Sequence, residues 1–162
     1  MKIAMVGYGK MGKEIVALAN DKIDTLIDPH AKEATGVTLS KESLKEIDVC
    51  IDFTHPSCAL KNIQTYLQLG IPSVIGTTGW YEHLPQVREW VKEASNPSLI
   101  YAPNFSIGVN LFFKILRQAA RVMNKFETYD VAGFEAHHRH KADTPSGTGA
   151  QCGKILLEEI DR

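Results

Sequence analysis

The sequence predicts an α/β fold: a doubly wound parallel sheet over residues 1–106, followed over 107–162 by the start of a smaller α+β domain. Three observations predict it. Short apolar runs alternate with longer amphipathic runs from the N-terminus to about residue 102, and that alternation is the mark of strand–helix–strand crossovers. Turns of small residues follow the first, third and fourth apolar runs. The alternation then breaks at Pro103-Asn104-Phe105-Ser106. Composition is that of a globular chain: 162 residues, 44% hydrophobic, 23% charged, formal net charge −1. The small net charge gives no general attraction to nucleic acid or membrane. No apolar run approaches the roughly 20 residues of a membrane span, and the N-terminus lacks the pattern of a signal peptide. Three cysteines, Cys50, Cys58 and Cys152, without a Cys-x-x-Cys spacing, read as reduced thiols in a cytoplasmic protein and argue against a structural zinc site.

Taken in order, 2–6 is a buried strand ending at glycine. A helix follows over 13–20, with Ile15, Val16, Leu18 and Ala19 as its apolar set. Residues 23–27 form a second strand ending at Asp28. The stretch 36–47 is a loop with a short helix over 43–47. Residues 48–53 are the third strand, with Cys50 as core filling. Pro56 suits a first helical position, so a helix runs from 56 to 69 and stops at Gly70, with Leu60, Ile63 and Leu67 on one face. Residues 72–75 are the fourth strand, 84–94 a helix with Leu84, Val87, Trp90 and Val91 inward, and 98–102 the fifth strand. Trp80 and Trp90 read as packing residues. Beyond the break, 108–123 is a long helix with Val109, Phe112, Ile115, Leu116 and Ala119 at helical spacing and Phe112 and Phe113 in the core. Residues 127–135 alternate loosely and read as a strand, and 151–160 is a closing helix.

The first turn is Gly7-Tyr8-Gly9-Lys10-Met11-Gly12, a G-x-G-x-x-G between a strand and a helix. That context makes it a Rossmann-like dinucleotide fingerprint: the first glycine allows a tight turn, the second lets a pyrophosphate reach the backbone, and the third lets helix pack on strand. Asp28 lies about 20 residues on, where a carboxylate can accept from a ribose 2′-hydroxyl. Its charge favours NADH over NADPH, while His30 and Lys32 just beyond soften that preference. The plainer reading is a glycine turn in an α/β protein that binds something else.

The densest chemistry lies at 135–150. His137, His138, Arg139, His140 and Lys141 stand together, and a Pro-Ser-Gly-Thr turn then opens the last helix. Cations beside a helix N-terminus suit an anionic ligand, because the first N–H groups of a helix lack partners and its dipole favours negative charge. Ser146 or Thr148 can cap the helix, and Gly147 allows close approach to the backbone. Imidazoles add proton transfer near neutral pH. The plainer reading here is a solvated basic loop.

These residues carry a resemblance. Val-Gly-Tyr-Gly-Lys-Met-Gly at 6–12, Asp-Phe-Thr at 52–54, Gly-Thr-Thr-Gly at 76–79, Ala-Pro-Asn-Phe-Ser-Ile-Gly-Val-Asn at 102–110 and Glu-Ala-His-His-Arg-His-Lys-Ala-Asp-Thr-Pro-Ser-Gly-Thr at 135–148 resemble the dihydrodipicolinate reductase (4-hydroxy-tetrahydrodipicolinate reductase) family of lysine and diaminopimelate biosynthesis. The resemblance implies that His137 is the proton donor or acceptor, that Lys141 is a proton donor and carboxylate contact, and that His138, Ser146, Gly147 and Thr148 bind a small cyclic dicarboxylate. It also implies that NADH or NADPH is held by residues 7–12, Asp28, Phe53, Thr54, Gly76, Thr77, Thr78, Ala102, Pro103, Asn104 and Phe105. Arg139 and His140 shape the local field or sit in solvent. The chain departs from the family in a glycine turn one residue shorter than in some members, which turns Lys10 toward the phosphates, and in Thr144 and Gly149, where alanines are common. Family chains also run on well past this length to complete the substrate domain and a homotetramer. A fragment or a short form with an incomplete second domain is therefore expected. Two other readings compete. One is a truncated, non-catalytic dinucleotide-binding module. The other is a different amino- or keto-acid dehydrogenase, such as an aspartate dehydrogenase, which accounts for residues 1–80 but leaves 137–148 unexplained.

Overall fold

The computed structural model describes residues 1–139 and 144–161. The chain divides into two compact units, Met1–Pro103 and Asn104–Arg162. Among the described residues the first unit holds strands β1 (Ile3–Val6), β2 (Ile23–Ile27), β3 (Val49–Asp52), β4 (Ser73–Ile75) and β5 (Leu99–Tyr101), with helices α1 (Lys10–Ala19), α2 (Pro56–Leu69) and α3 (Leu84–Glu93). The strands form one parallel sheet in the order β2-β1-β3-β4-β5. The chain moves outward from β1 to β2, then returns past β1 to build the other side. The connections therefore change direction between β1 and β3, and in open α/β sheets such a point leaves a crevice at the strand C-termini.

Both faces of β1 are buried, as a central parallel strand requires. Ala4 and Val6 join a core with Cys50, Ile63, Tyr66, Ile75, Trp80 and Val87. Met5 faces the other way: its side chain ends 3.3 Å from where a Cβ on Gly12 of α1 would stand. Burial pushes the Cys50 thiol up to about 12, with Asp52 adding to the effect, so it stays protonated and inert as core filling. Helix α2 begins with His55 as N-cap, its ring nitrogen accepting from the Ser57 N–H, and Pro56 at the first position. It ends at Gly70, whose left-handed backbone (φ 65°) lets its N–H reach the carbonyls of the last turn.

Several expectations are corrected. The α1 face that turns inward is Gly12, Ile15, Val16 and Ala19, while Leu18 is 85% exposed. Leu18 falls off the i, i+3, i+4, i+7 stripe that the other four define. The short helix expected at 43–47 is a set of hydrogen-bonded turns instead, and Glu46 at φ 66° has a left-handed backbone that no α-helix tolerates. Leu44 and Ile47 still reach the core from those turns.

The second unit holds α4 (Ile107–Met123) and α5 (Gly147–Glu159), which pack on each other. Ser106 caps α4 by accepting from the Val109 N–H. Arg121 and Arg117 both bond Glu159, Arg117 also bonds Glu158, and the two guanidinium groups hold the Glu159 carboxyl below the usual range. The inward face of α4 runs through Val109, Phe113, Leu116 and Ala120, whereas Phe112, expected in the core, and Ile115 and Ala119 of the expected apolar spacing are exposed. Helical spacing permits two apolar stripes on this helix, and among the described residues α5 covers one. The stretch 127–135, expected as a strand, has no regular structure. A strand needs a hydrogen-bonded neighbour, and the paired strands among the described residues all lie in the first unit. No helix among the described residues is long and apolar enough to cross a membrane.

Ile63 is fully buried in the first unit's core. Ile63→Ala is expected to cost about 2–5 kcal/mol of unfolding free energy. In urea titration the midpoint should fall with the slope unchanged; an unmoved midpoint would remove Ile63 from the core.

Candidate functional site

The C-terminal edge of the sheet is where chemistry-bearing residues collect. Gly7 leaves β1 with φ 91°, a backbone region closed to most side chains, and a Cβ there would fall on the Phe53 carbonyl beyond β3. Its N–H bonds the Ile27 carbonyl at 2.9 Å. Helix α1 starts at Lys10 rather than at 13, so Lys10, Met11 and Gly12 occupy its first turn, where N–H groups have no acceptor within the helix. Nothing stands within 4 Å of where a Cβ on Gly9 would project. Lys10 and Met11 are exposed beside it, and Lys13 lies with its ammonium 5.4 Å from the Tyr8 ring centre. A bare backbone at an open helix N-terminus fits a pyrophosphate.

Asp28 ends β2 next to this turn. One of its carboxylate oxygens accepts the Tyr8 N–H at 2.7 Å and the other the His30 N–H at 2.7 Å. Burial raises its pKa, but the backbone donors of Tyr8, His30 and Ala31 outweigh that and leave it below its ordinary value. The group is therefore a fixed anion with lone pairs left to accept from a hydroxyl, which fits a dinucleotide ribose.

Two further turns share the edge. Phe53 bonds the Val6 carbonyl through its N–H, and its ring fills the space a Cβ on Gly76 would need. The Thr54 N–H donates to Thr77 Oγ1 at 2.8 Å and to Asp52 Oδ1 at 3.1 Å. Thr77 is only 4% exposed and its hydroxyl donates to Asp52, so any contact it makes with a ligand runs through its backbone. Thr78 is exposed. Ala102 and Pro103 follow β5, and the Ala102 N–H bonds the Ile75 carbonyl.

In the second unit, Asn104 and Phe105 precede α4. Asn104 accepts the Ser106 N–H through its side chain and Asn110 Nδ2 through its carbonyl, and Phe105 is 44% exposed. Ser146, not Thr148, caps α5, accepting the Gly149 N–H at 2.8 Å. Gly147 and Thr148 are exposed in the first turn of α5. The Glu135 carboxylate accepts both the Ser146 N–H at 2.7 Å and the Ser146 hydroxyl at 2.5 Å. It leans over the helix end so closely that a Cβ on Gly149 would stand 2.5 Å from it. His137 Nδ1 lies 3.9 Å from the same carboxylate, and His138 and Arg139 are exposed. His140 and Lys141 lie outside the described residues. Among the described residues no group of three or more His, Cys, Asp or Glu is placed to hold a metal ion.

The sequence reading passed over two carboxylates that organise these regions. Asp52 had a legible signal: an acid closing an apolar strand, with Asn62 and Tyr66 four residues apart on one face of the next helix. Glu135 had none, because its partner Ser146 stands 11 residues on with no periodicity linking the two.

Comparison with known proteins places this geometry. Residues 1–105 match the profile of the dihydrodipicolinate reductase N-terminus, and residues 108–162 match that of its C-terminus. The chain is 38% identical over 159 residues to the 4-hydroxy-tetrahydrodipicolinate reductase of Christiangramia forsetii, covering 98% of this chain and 65% of that one. It is 38% identical over 160 residues to the enzyme of the same name from Mycolicibacterium smegmatis, covering 98% of this chain and 62% of that one. The chain thus spans just under two thirds of the length of these relatives. A dipicolinate-bound dihydrodipicolinate reductase from Paenisporosarcina sp. TG-14 superposes with a TM-score of 0.77 and 31% identity, over 99% of this chain and 66% of that one. An aspartate dehydrogenase of Thermotoga maritima, at TM-score 0.55 and 13% identity over 72% of this chain and 51% of that one, shares the fold alone. The two adjoining profile matches show that the chain belongs to the dihydrodipicolinate reductase family, oxidoreductases that use NADH or NADPH.

Proposed function

We propose that this chain binds NADH or NADPH at the C-terminal edge of its sheet and reduces 4-hydroxy-tetrahydrodipicolinate to tetrahydrodipicolinate, the reaction after which its relatives are named. Residues 1–106 act as the cofactor domain and 107–162 as the start of the substrate domain. The observation that carries the reading is the open first turn of α1, with Gly9 bare and the Asp28 carboxylate held on the Tyr8 N–H.

Lys10, Met11 and Gly12 receive the pyrophosphate through their backbone N–H groups, and Asp28 accepts from the ribose. Phe53, Thr54, the backbone of Gly76 and Thr77, Thr78 and residues 102–105 border the nicotinamide end. The nicotinamide, when bound, supplies a hydride. The six-membered substrate ring would gain that hydride, while its hydroxyl would take up a proton and leave as water. His137 is assigned as the source of the proton, with Glu135 facing its Nδ1. Gly147 and Thr148, exposed at the start of α5, offer N–H groups to one substrate carboxylate. Lys141 is assigned to the other, with His138 as a further contact. Both Ser146 hydroxyl functions are engaged, one by Gly149 and one by Glu135, so Ser146 supports substrate by holding the helix end. A structure with dipicolinate bound to a relative supports a six-membered ring dicarboxylate as the ligand class.

A second reading rests on the second unit. Its described residues form two helices and no strand, and Leu111, Phe112 and Ile115 on α4 are exposed. Those observations favour a chain that binds the cofactor without turning over. A coupled assay with dihydrodipicolinate synthase product, run beside a fluorescence titration of NADH, separates the two: cofactor oxidation establishes the reductase, and binding without oxidation establishes the module.

Where turnover is seen, His137→Gln is expected to lower it about 10²–10⁴-fold while NADH affinity stays nearly constant. Unchanged turnover would take His137 out of the mechanism. Asp28→Ala should weaken NADH relative to NADPH, since it removes both the ribose acceptor and the charge that opposes a 2′-phosphate. A constant ratio of the two dissociation constants would exclude Asp28 as the ribose ligand.

A further inference from the structure

We infer that Asp52 is a positioning residue for the cofactor edge: one fully buried carboxylate locks the turns after β3 and β4 into a single arrangement, although it cannot itself touch a ligand. The inference rests on the reading that this edge holds NADH or NADPH.

Asp52 is 0% exposed at the end of β3. Its Oδ1 accepts the Thr54 N–H at 3.1 Å, the Thr54 hydroxyl at 2.8 Å and the Thr77 hydroxyl at 2.9 Å. Its Oδ2 accepts Asn62 Nδ2 at 2.9 Å and the Tyr66 hydroxyl at 2.7 Å. The Asp52 carbonyl accepts the Gly76 N–H at 2.8 Å. A buried carboxylate is costly unless its lone pairs are met, and here five donors meet them. The donors divide by purpose. Asn62 and Tyr66 sit four apart on α2 and tie the carboxylate to the core; burial and the nearby Asp52 charge push the Tyr66 hydroxyl well above its ordinary value, so it remains a donor. The Oδ1 donors belong to the edge turns. Thr77 then carries the lock onward, because its carbonyl accepts Trp80 Nε1 at 2.7 Å. A stabilising core would be served as well by an apolar side chain of the same shape. A satisfied polar network instead selects one arrangement of its members, and the members here are the two turns that flank Phe53 and Gly76.

Asp52→Asn tests this, because it keeps the shape but removes the charge and replaces one acceptor with a donor, which faces either the obligate donor Thr54 N–H or the Asn62 amide, which must then turn over to accept. Tyr66→Phe is the control, since it removes one buried bond on the α2 side only. Three quantities are measured on each: melting temperature, NADH dissociation constant by fluorescence, and amide hydrogen exchange at 54 and 76–78 relative to β1. Both variants should melt lower. Asp52→Asn should weaken NADH about ten-fold or more and speed exchange at 54 and 76–78 beyond any loss shared by β1, whereas Tyr66→Phe should keep NADH within about two-fold with the turns exchanging in step with β1. If the two variants behave alike, with turns and β1 exchanging together, Asp52 is core only and the inference fails. Should Asp52→Asn not fold, Asn62→Ala, which loses bonds to both Asp52 and Thr54 Oγ1, should speed exchange at 54 and weaken NADH about three-fold or more; no change in either overturns the inference. Absence of NADH and NADPH binding by the unaltered chain would overturn the cofactor reading instead, and the exchange data would still decide whether Asp52 holds the turns.

Discussion

The contact on which the first unit depends is the approach of the turn after β1 to the end of β3. A single methyl group on Gly7 would stand well inside contact distance of the Phe53 carbonyl oxygen. Because the two backbones meet there, the Val6 carbonyl can accept the Phe53 N–H, and β1 and β3 stay paired up to the point where the connections reverse. Helix α1 begins at Lys10, about one turn earlier than its apolar residues suggest. Its first N–H groups then stand at the crevice rather than over the sheet.

How much of this was legible varied with the range of the interaction. Parallel strands buried on both faces leave a local trace, a short apolar run closed by glycine or an acid, and β2 and α2 fall where periodicity put them. Turns that depend on one backbone angle do not leave such a trace. Nothing in the stretch 43–47 announces that Glu46 adopts a left-handed conformation, so helical spacing there was misleading. Leu18 shows the same weakness at a smaller scale, since an apolar residue next to a member of the stripe reads as part of it until the face is resolved. The acid at 28 was legible because the fingerprint sets its distance. The acid at 52 was visible and uninterpreted, because its partners are drawn from three separate elements.

The second unit shows the other limit. Alternation at 127–135 encodes a preference for extended backbone, and a preference becomes a ladder only when a neighbour offers its own N–H and C=O groups. Likewise α4 carries two apolar stripes, and sequence cannot say which one a partner takes. The face through Val109, Phe113 and Ala120 meets α5; the one through Leu111, Phe112 and Ile115 meets solvent among the described residues. Both shortfalls concern pairing between elements rather than the elements themselves.

Glu135 and Gly149 are bound to each other in a way that reaches beyond the single molecule. The carboxylate is pinned by the N–H and hydroxyl of Ser146, and from that position it excludes a methyl group at 149. An alanine at 149 thus requires the acid to turn aside, a shift that the flexible end of a glutamate can make. Once the acid is lost or turned away, the glycine is free to drift, and helix propensity alone then favours alanine by roughly 1 kcal/mol. The two positions, 14 residues apart in the chain, are therefore coupled through the pose of the acid rather than through its presence.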